Sequence, residues 1–405
     1  MRINGLLEQA WRRGWLSRPV LEPDHLVATA RARTGLQDLG SGPGWRDRLE
    51  RLTEALHAQA ALSPLGTVIA YGQLVSALAD RARVHALWRR HPEILEQPIA
   101  QPIIVLGQMR SGSTRMQRLL ACDPGFAHTR FFESWNPVPI QRRNWLDDRR
   151  VRAWIGLRCA QWLNPEFRVV HPTGLTQPDE EIGLHNVSVF GAAFEAQWRI
   201  PSFAAAGERM DTRAVYAEFR RLLQTVAWLR KDRSARPWVL KLPQFSQDLD
   251  SLLAAFPDAR LVCLDRPAGA LVASSASLAH GQMTVQSDAV DRRWIGAEWL
   301  RKVALRQQRM TEARARADVP QVDVGFHAMN QDWEGEMRRV YAMLGLPLTE
   351  AVRGRMARYL AQPRHKRLAG HRYTLADFGL SEGQVQRAMN AATAPVPPRR
   401  VRAVA

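Results

Sequence analysis

The sequence predicts an α/β fold: a P-loop-type three-layer sandwich with a central parallel sheet, plus N-terminal helices and a helical insertion. Three observations predict it. Short apolar runs bounded by Pro and Gly recur along the chain, helical patterns fill the intervals between them, and one run leads through a glycine-containing turn into a helix. Runs that are apolar throughout belong to strands buried on both faces, as in a parallel sheet covered by helices.

The elements follow in order. Residues 1–35 read as helical, with Leu and Trp between arginines, and LGSGPG (39–44) breaks the pattern. Residues 45–90 read as further helices. The uncharged stretch 58–79 contains Pro64, Gly66 and Gly72 and is read as a buried helix pair split at Ser63-Pro64 rather than a membrane span. PIIVLG (102–107) is the first predicted strand. FAHTRFF (126–132), PWVLK (237–241), ARLVCLD (259–265) and VPQVDVGF (319–326) are the next four. Helical patterns at 112–121, 246–256, 268–279 and 294–317 separate them. The expected division is a helical region over 1–100, an α/β core over 101–350 with a helical insertion at 145–235, C-terminal helices and a basic loop over 351–390, and a flexible tail over 391–405.

The chain has 405 residues, 46% hydrophobic and 24% charged, so it can bury a large core and is not globally disordered. Its formal net charge is +18, which favours a polyanion: a nucleotide, a nucleic acid or an anionic membrane. Only Lys231, Lys241, Lys302 and Lys366 are lysines; the other 53 basic residues are Arg. They are spread along the whole chain with no concentrated arm. That argues against nucleic acid and leaves an Arg-rich solvated surface as the plain reading. Cys122, Cys159 and Cys263 are far apart and odd in number, which excludes a disulfide framework or a CxxC metal knuckle and suggests a reducing compartment. The N-terminal residues lack an apolar signal core, so a cytoplasmic location without stable membrane insertion is expected.

PIIVLGQMRSGSTRMQRLL is the most informative segment. Glycines let the backbone turn tightly, so that N–H groups of the loop and first helical turn converge on one point, an anion site reinforced by the helix dipole. Gly107 and Gly112 have the spacing of a phosphate loop, and Thr114 falls at its hydroxyl position. A nucleoside triphosphatase would need Lys directly after the second Gly; Ser113 stands there, and the cation is Arg110 inside the loop. Arg110, Ser111, Ser113 and Thr114 therefore offer one cation and three hydroxyls to an anionic group. Arg266 stands where the fourth strand gives way to a helix, at the sheet edge where ligands collect in open α/β folds. Ser274 lies eight residues on, about two helical turns away. On spacing alone the pair also fits a surface Arg beside a packed helix Ser.

The phosphate-loop segment resembles that of sulfotransferases dependent on 3′-phosphoadenosine 5′-phosphosulfate (PAPS), above all a bacterial branch whose loop reads like PRSGTT. FFESWNP, WVLKLPQFSQDLDSLLAAFPDARLVCLDRP, AGALVASSASL, YAMLGLPLTE and HRYTLADFGL extend the resemblance in the same order, over roughly residues 80–380. Met109, Ser113 and Leu242 depart from the branch pattern. The resemblance implies a P-loop-like fold, PAPS as co-substrate, no metal, and transfer of a sulfuryl group to a hydroxyl or amine of a small-molecule, lipid or sugar acceptor. It gives the loop Arg110–Arg115, with Ser111, Gly112, Ser113 and Thr114, to the 5′-phosphosulfate. Arg266 and Ser274 would take the 3′-phosphate, with Arg364 and Lys366 of the basic segment 363–370 closing the nucleotide site.

Lys241, at the end of the third strand, is the expected cation for the leaving phosphate, assisted by Arg110. The position two residues later, often a basic His in cytosolic relatives, is Pro243; Glu133 follows the second strand in a region where other sulfotransferase branches use a Glu, and the resemblance makes it the expected general base. The plain reading of Glu133 is a carboxylate that caps a loop or pairs with Arg. His171, Trp135, Phe194 and Trp198, with Phe190 and the acidic group Asp179, Glu180 and Glu181, are expected to line an acceptor pocket; aromatics at helical spacing also fit a core. A kinase using an altered P-loop, and a non-catalytic nucleotide-binding protein, are the alternatives.

Overall fold

The computed structural model describes residues 2–42, 44–140, 147–165, 172–231, 234–362 and 373–393. Five parallel strands form one sheet in the order β2-β3-β1-β4-β5, with β1 Ile103–Leu106, β2 Ala127–His128, β3 Trp238–Lys241, β4 Arg260–Asp265 and β5 Gln321–Gly325. Ile104 stands beside Leu240 on one side and Leu261 on the other, which fixes the register at the centre. Alternate residues face opposite layers. Ile104, Leu106, Leu240, Leu261 and Cys263 enter one core, while Ile103, Val105, Val239, Val262 and Leu264 enter the other. Both faces are therefore covered, as the uninterrupted apolar runs require.

One layer contains α11 (Arg213–Leu229) and α12 (Leu249–Ala255); the other contains α5 (Ser113–Leu120), α15 (Phe326–Gln331) and α16 (Trp333–Met343). A third cluster joins distant parts of the chain. Leu26, Leu52 and Leu74 come from α2 (Pro23–Thr34), α3 (Trp45–Gln59) and α4 (Pro64–Arg90), and they meet Phe194, Trp198 and Phe203 of the insertion. The split at Ser63-Pro64 is a helix start: Ser63 accepts a hydrogen bond from the Gly66 N–H, and Pro64 occupies the first helical turn, where a missing N–H costs nothing. Among the described residues the insertion supplies five helices: α7 (Asp148–Leu163), α8 (Ile182–Val187), α9 (Ala192–Gln197), α10 (Pro201–Arg209) and α11. After β4 come α13 (Ala268–Gln286) and α14 (Arg292–Arg316); α17 (Glu350–Ala361) and α18 (Glu382–Thr393) follow the last strand.

The expected second strand is mostly not a strand. Only Ala127 and His128 pair with β3, and Phe131–Trp135 form a short helix, α6. The helical turn brings Phe131 and Phe132 against Ala153 and Leu157 of α7, a packing that an extended strand with alternating side chains would not allow. The expected helix 246–256 begins as a 3-10 turn at Pro243–Ser246 and becomes α12 only at Leu249. The tail beyond Thr393 lies outside the described residues. No described helix is long and apolar enough to cross a membrane.

Candidate active site

The phosphate loop begins where β1 ends. At Gly107 a Cβ would lie 2.5 Å from Ser111 Oγ and 3.2 Å from Leu264 Cβ, so only glycine lets the loop return this closely. Gly112 closes the loop at φ 95°, where a Cβ would press on the Phe326 ring at 3.3 Å. Between them Arg110 has φ 73°, a left-handed conformation rare for a residue with a side chain. Its Nε donates to Ser274 Oγ at 3.0 Å. The first N–H groups of α5 have no carbonyl one turn behind them, so they and the helix dipole face the loop mouth. Ser111 Oγ is buried and has no hydrogen-bond partner.

Arg266 locks onto the same loop. Its Nη1 donates to the Arg110 carbonyl at 2.5 Å, and its guanidinium lies 4.4 Å from the centre of the Phe326 ring. Ser274 is buried and also accepts the Tyr373 hydroxyl at 2.8 Å. Arg266 and Ser274 thus share one neighbour, Arg110, which bonds to both.

Lys241 is 1% exposed. Its Nζ donates to Thr114 Oγ1 at 3.2 Å and to the Glu180 carboxylate. The neighbouring Glu181 accepts the Lys241 backbone N–H at 2.7 Å. Burial pushes the Glu181 carboxyl up to about 8, so it is largely protonated at neutral pH.

Thr114 and Glu180 open onto a cavity of about 660 Å³, which also takes in Met109, Arg110, Ser113 and Arg266. Phe131, Trp135, Leu157 and Leu278 make much of its wall apolar, and α7 and α9 contribute small residues, Ala153, Gly156 and Ala193 among them. The glycine loop therefore opens into a largely apolar chamber, with one ammonium, one hydroxyl and one carboxylate in contact beside it. Among the described residues no group of His, Cys, Asp and Glu is arranged to hold a metal ion.

The sequence-predicted residues divide clearly. Arg110, Gly112, Ser113, Thr114, Arg266 and Trp135 line the cavity, and Ser274 and Lys241 bond to residues that do. Glu133 does not line it. It is fully buried; Arg230 Nε donates to its Oε1 at 2.7 Å, Arg230 Nη2 binds Oε2, and Oε2 also accepts the Arg130 N–H at 2.9 Å. Both oxygens are thereby occupied, as in the loop-capping and Arg-pairing alternative. Arg115 turns away onto α15, donating to Asn330 Oδ1 at 2.7 Å and the Met329 carbonyl at 2.9 Å. Phe194 and Trp198 stack at 5.5 Å inside the core they share with the N-terminal helices, outside the cavity wall. Phe190 is likewise buried. His171, Arg364 and Lys366 lie outside the described residues.

Sequence reasoning missed Tyr373, Phe326 and Arg306, which also line the cavity, and it placed Glu180 in the pocket without giving it a role. The Lys241–Glu180 contact joins residues 61 apart, a relation no local spacing displays.

Loop, sheet edge and chamber define an α/β phosphate-loop fold built for group transfer. The family described as the sulfotransferase family matches residues 102–350, well over half of the chain, and the protein belongs to it. It is a sulfotransferase. Its structure is similar to that of a sulfotransferase of Mycobacterium tuberculosis (STF1), with TM-score 0.78 and 28% identity over 92% of this chain and 100% of that one. A sulfotransferase of Mycobacterium avium (STF9) is also similar, with TM-score 0.81 and 25% identity over 92% of this chain and 96% of the other. No match was found among curated proteins.

Proposed function

We propose that the protein moves the sulfuryl group of PAPS to a hydroxyl or amine of a small-molecule, lipid or sugar acceptor held in the apolar chamber, with no metal required. The contact of Lys241 Nζ with both Thr114 and Glu180 at the phosphate loop carries this reading. The residues fit the donor. Arg110, Ser113, Thr114 and Arg266 line the cavity beside the start of α5, whose first N–H groups favour an anion, and the buried Ser111 Oγ still has a hydrogen bond to make. Arg266 and Ser274 are the proposed holders of a 3′-phosphate.

PAPS supplies a sulfuryl group already activated by its anhydride bond to phosphate. The chain must position the acceptor, take its proton and neutralise the charge left on the phosphate oxygen. Lys241 and Arg110 are placed for the last task. Glu180 is placed for the second: it is an acidic side chain in the cavity wall, bonded to Lys241, whereas both Glu133 oxygens are occupied by Arg230 and the Arg130 N–H. When Lys241 turns to the phosphate, Glu180 is released to accept the acceptor proton. The thiols Cys122, Cys159 and Cys263, none in a disulfide, are consistent with the cytoplasm as its place of action.

Calorimetric titration of adenosine 3′,5′-bisphosphate and of Mg·ATP, on wild type and on Arg266→Ala, tests the reading. Tight bisphosphate binding that Arg266→Ala weakens at least tenfold, with ATP far weaker, supports it. Equal binding of ATP that needs Mg²⁺, or no bisphosphate binding, sinks it and favours a kinase.

A further inference from the structure

One guanidinium in the chamber wall is bonded less completely than its burial requires. Arg306, on α14, is 1% exposed and lines the cavity. Neither Nε nor Nη2 has a hydrogen-bond acceptor. The nearest carboxylate oxygen, Glu195 Oε2, is 3.6 Å from Nη2, and that same oxygen accepts Lys302 Nζ at 2.6 Å. Lys302 is also within 4 Å of Glu208 and Glu298. Acidic groups are therefore at hand, and the fold directs them to Lys302. A guanidinium carries five N–H donors in a fixed plane, and burying them without acceptors is strongly unfavourable. Nε and Nη2 are closed off even from the cavity, so an occupant would meet the guanidinium at its remaining nitrogen, Nη1.

The neighbours of Arg306 locate it. Pro243, two residues past Lys241, lines the same cavity, as do Trp299 and the α9 residues Ala192 and Ala193. The α9 helix also carries Glu195. The cations that serve the phosphate loop, Arg110 and Arg266, are instead tied to one another and to Ser274 on α13.

We propose that Arg306 is an acceptor-recognition residue that binds a carbonyl or carboxylate oxygen of the molecule to be sulfated. The acceptor class is then an apolar hydroxyl compound bearing such an oxygen, a hydroxy acid or hydroxy ketone, rather than a plain alcohol. Its hydrocarbon body contacts Phe131, Trp135, Leu157 and Leu278. The proposal rests on the reading of this cavity as the acceptor chamber of a sulfotransferase. A molecule lacking the oxygen leaves the guanidinium as it stands, so discrimination is set by one charge-assisted pair, roughly 30-fold in affinity.

The test compares a naphthol with the hydroxynaphthoate that adds one carboxylate to it. Both are titrated into the full-length protein, with and without saturating adenosine 3′,5′-bisphosphate. Wild type is expected to bind the hydroxynaphthoate about 30-fold more tightly. Arg306→Met should erase that preference and Arg306→Lys should keep part of it, with bisphosphate affinity unchanged in both. The thermal midpoint of ligand-free Arg306→Met should hold or rise, since an apolar side chain replaces donors that lack acceptors. The proposal is overturned if wild type prefers neither probe or binds neither. It is also overturned if Arg306→Met weakens bisphosphate binding, which would assign Arg306 to the donor, or if both variants lower the midpoint by several degrees while the preference survives. Failure of wild type to bind bisphosphate would instead strike the donor reading, and the comparison without bisphosphate would still report on Arg306.

Discussion

Glu133→Ala and Glu180→Ala separate structure from chemistry in one pair of variants. Glu133 is 0% exposed, and its partner Arg230 is 12% exposed at the side chain. Removing the carboxylate leaves Arg230 with the His128 carbonyl at 2.7 Å and the Trp238 ring at 5.0 Å, but without a counter-charge. Breaking a buried pair from one side costs about 3–5 kcal/mol. The Arg130 N–H loses its acceptor as well, adding about 1 kcal/mol. At roughly 2.1 cal/mol/K per residue, 405 residues give an unfolding entropy near 0.85 kcal/mol/K if the chain melts as one unit. A loss of about 5 kcal/mol then lowers the thermal midpoint by about 6 °C. Glu180→Ala also leaves a buried cation, Lys241 at 1% exposed, without its counter-charge, so both variants should lower the midpoint, and kcat per folded molecule is what separates them. Removing a general base should lower kcat by about 100-fold or more. Differential scanning fluorimetry and a sulfuryl-transfer assay corrected for folded fraction read both effects. Glu133→Ala with an unchanged midpoint and a 100-fold loss of kcat would refute the assignment and return the base to Glu133.

Other substitutions have equally definite outcomes. Gly112→Ala places a Cβ at φ 95° and against the Phe326 ring; it should cost about 1–2 kcal/mol of stability and weaken bisphosphate binding at least tenfold by calorimetry. Phe194→Ala should cost about 3–5 kcal/mol by denaturant titration while leaving acceptor KM within about threefold, because its ring packs in the core rather than in the cavity. Glu181→Gln tests linkage. The folded acid, raised to about 8, keeps a proton that the unfolded chain has already released above its usual range near 4.5, so stability is lost as pH rises through that window. Burial depresses His128 to about 4 and His185 to about 3, which acts in the opposite sense and offsets Glu181 near pH 6.5. Wild type should therefore lose about 0.7 kcal/mol per pH unit between pH 7 and 8, and Glu181→Gln should abolish that decline in urea titrations. An unchanged slope would show that Glu181 is ionised in the fold.

The strands at the centre of the sheet were legible because IIVL, WVLK and RLVCLD are apolar on both faces and end at Gly, Leu-Pro and Arg-Pro. The edge strand was not. FAHTRFF has strand-like composition, but Phe131 and Phe132 are recruited by α7, and tertiary packing overrides local preference there. The phosphate loop was legible because its chemistry is local: glycines, hydroxyls and an Arg within eight positions. Arg306 and Tyr373 were not, because one is among many arginines on a long helix and the other reaches Ser274 from 99 residues away. The partner of Glu133 was hidden for the same reason: Arg230 is 97 residues distant and leaves no trace in spacing.

Three glutamines hold the chamber together. Gln73 of α4 and Gln286 of α13 both donate to Gln197 Oε1, at 2.8 and 3.0 Å, and Gln286 in turn accepts the Trp198 indole N–H at 2.7 Å. The N-terminal region, the insertion and the catalytic core are thus riveted at one carbonyl oxygen. With the cavity read as the acceptor chamber proposed above, acceptor preference is not a transferable cassette. A chimera that grafts only residues 145–235 from a relative would arrive without its matching Gln73 and Gln286 surroundings, and the seam would fail there first. Exchanging preference between relatives requires the three segments to travel, or to diverge, together.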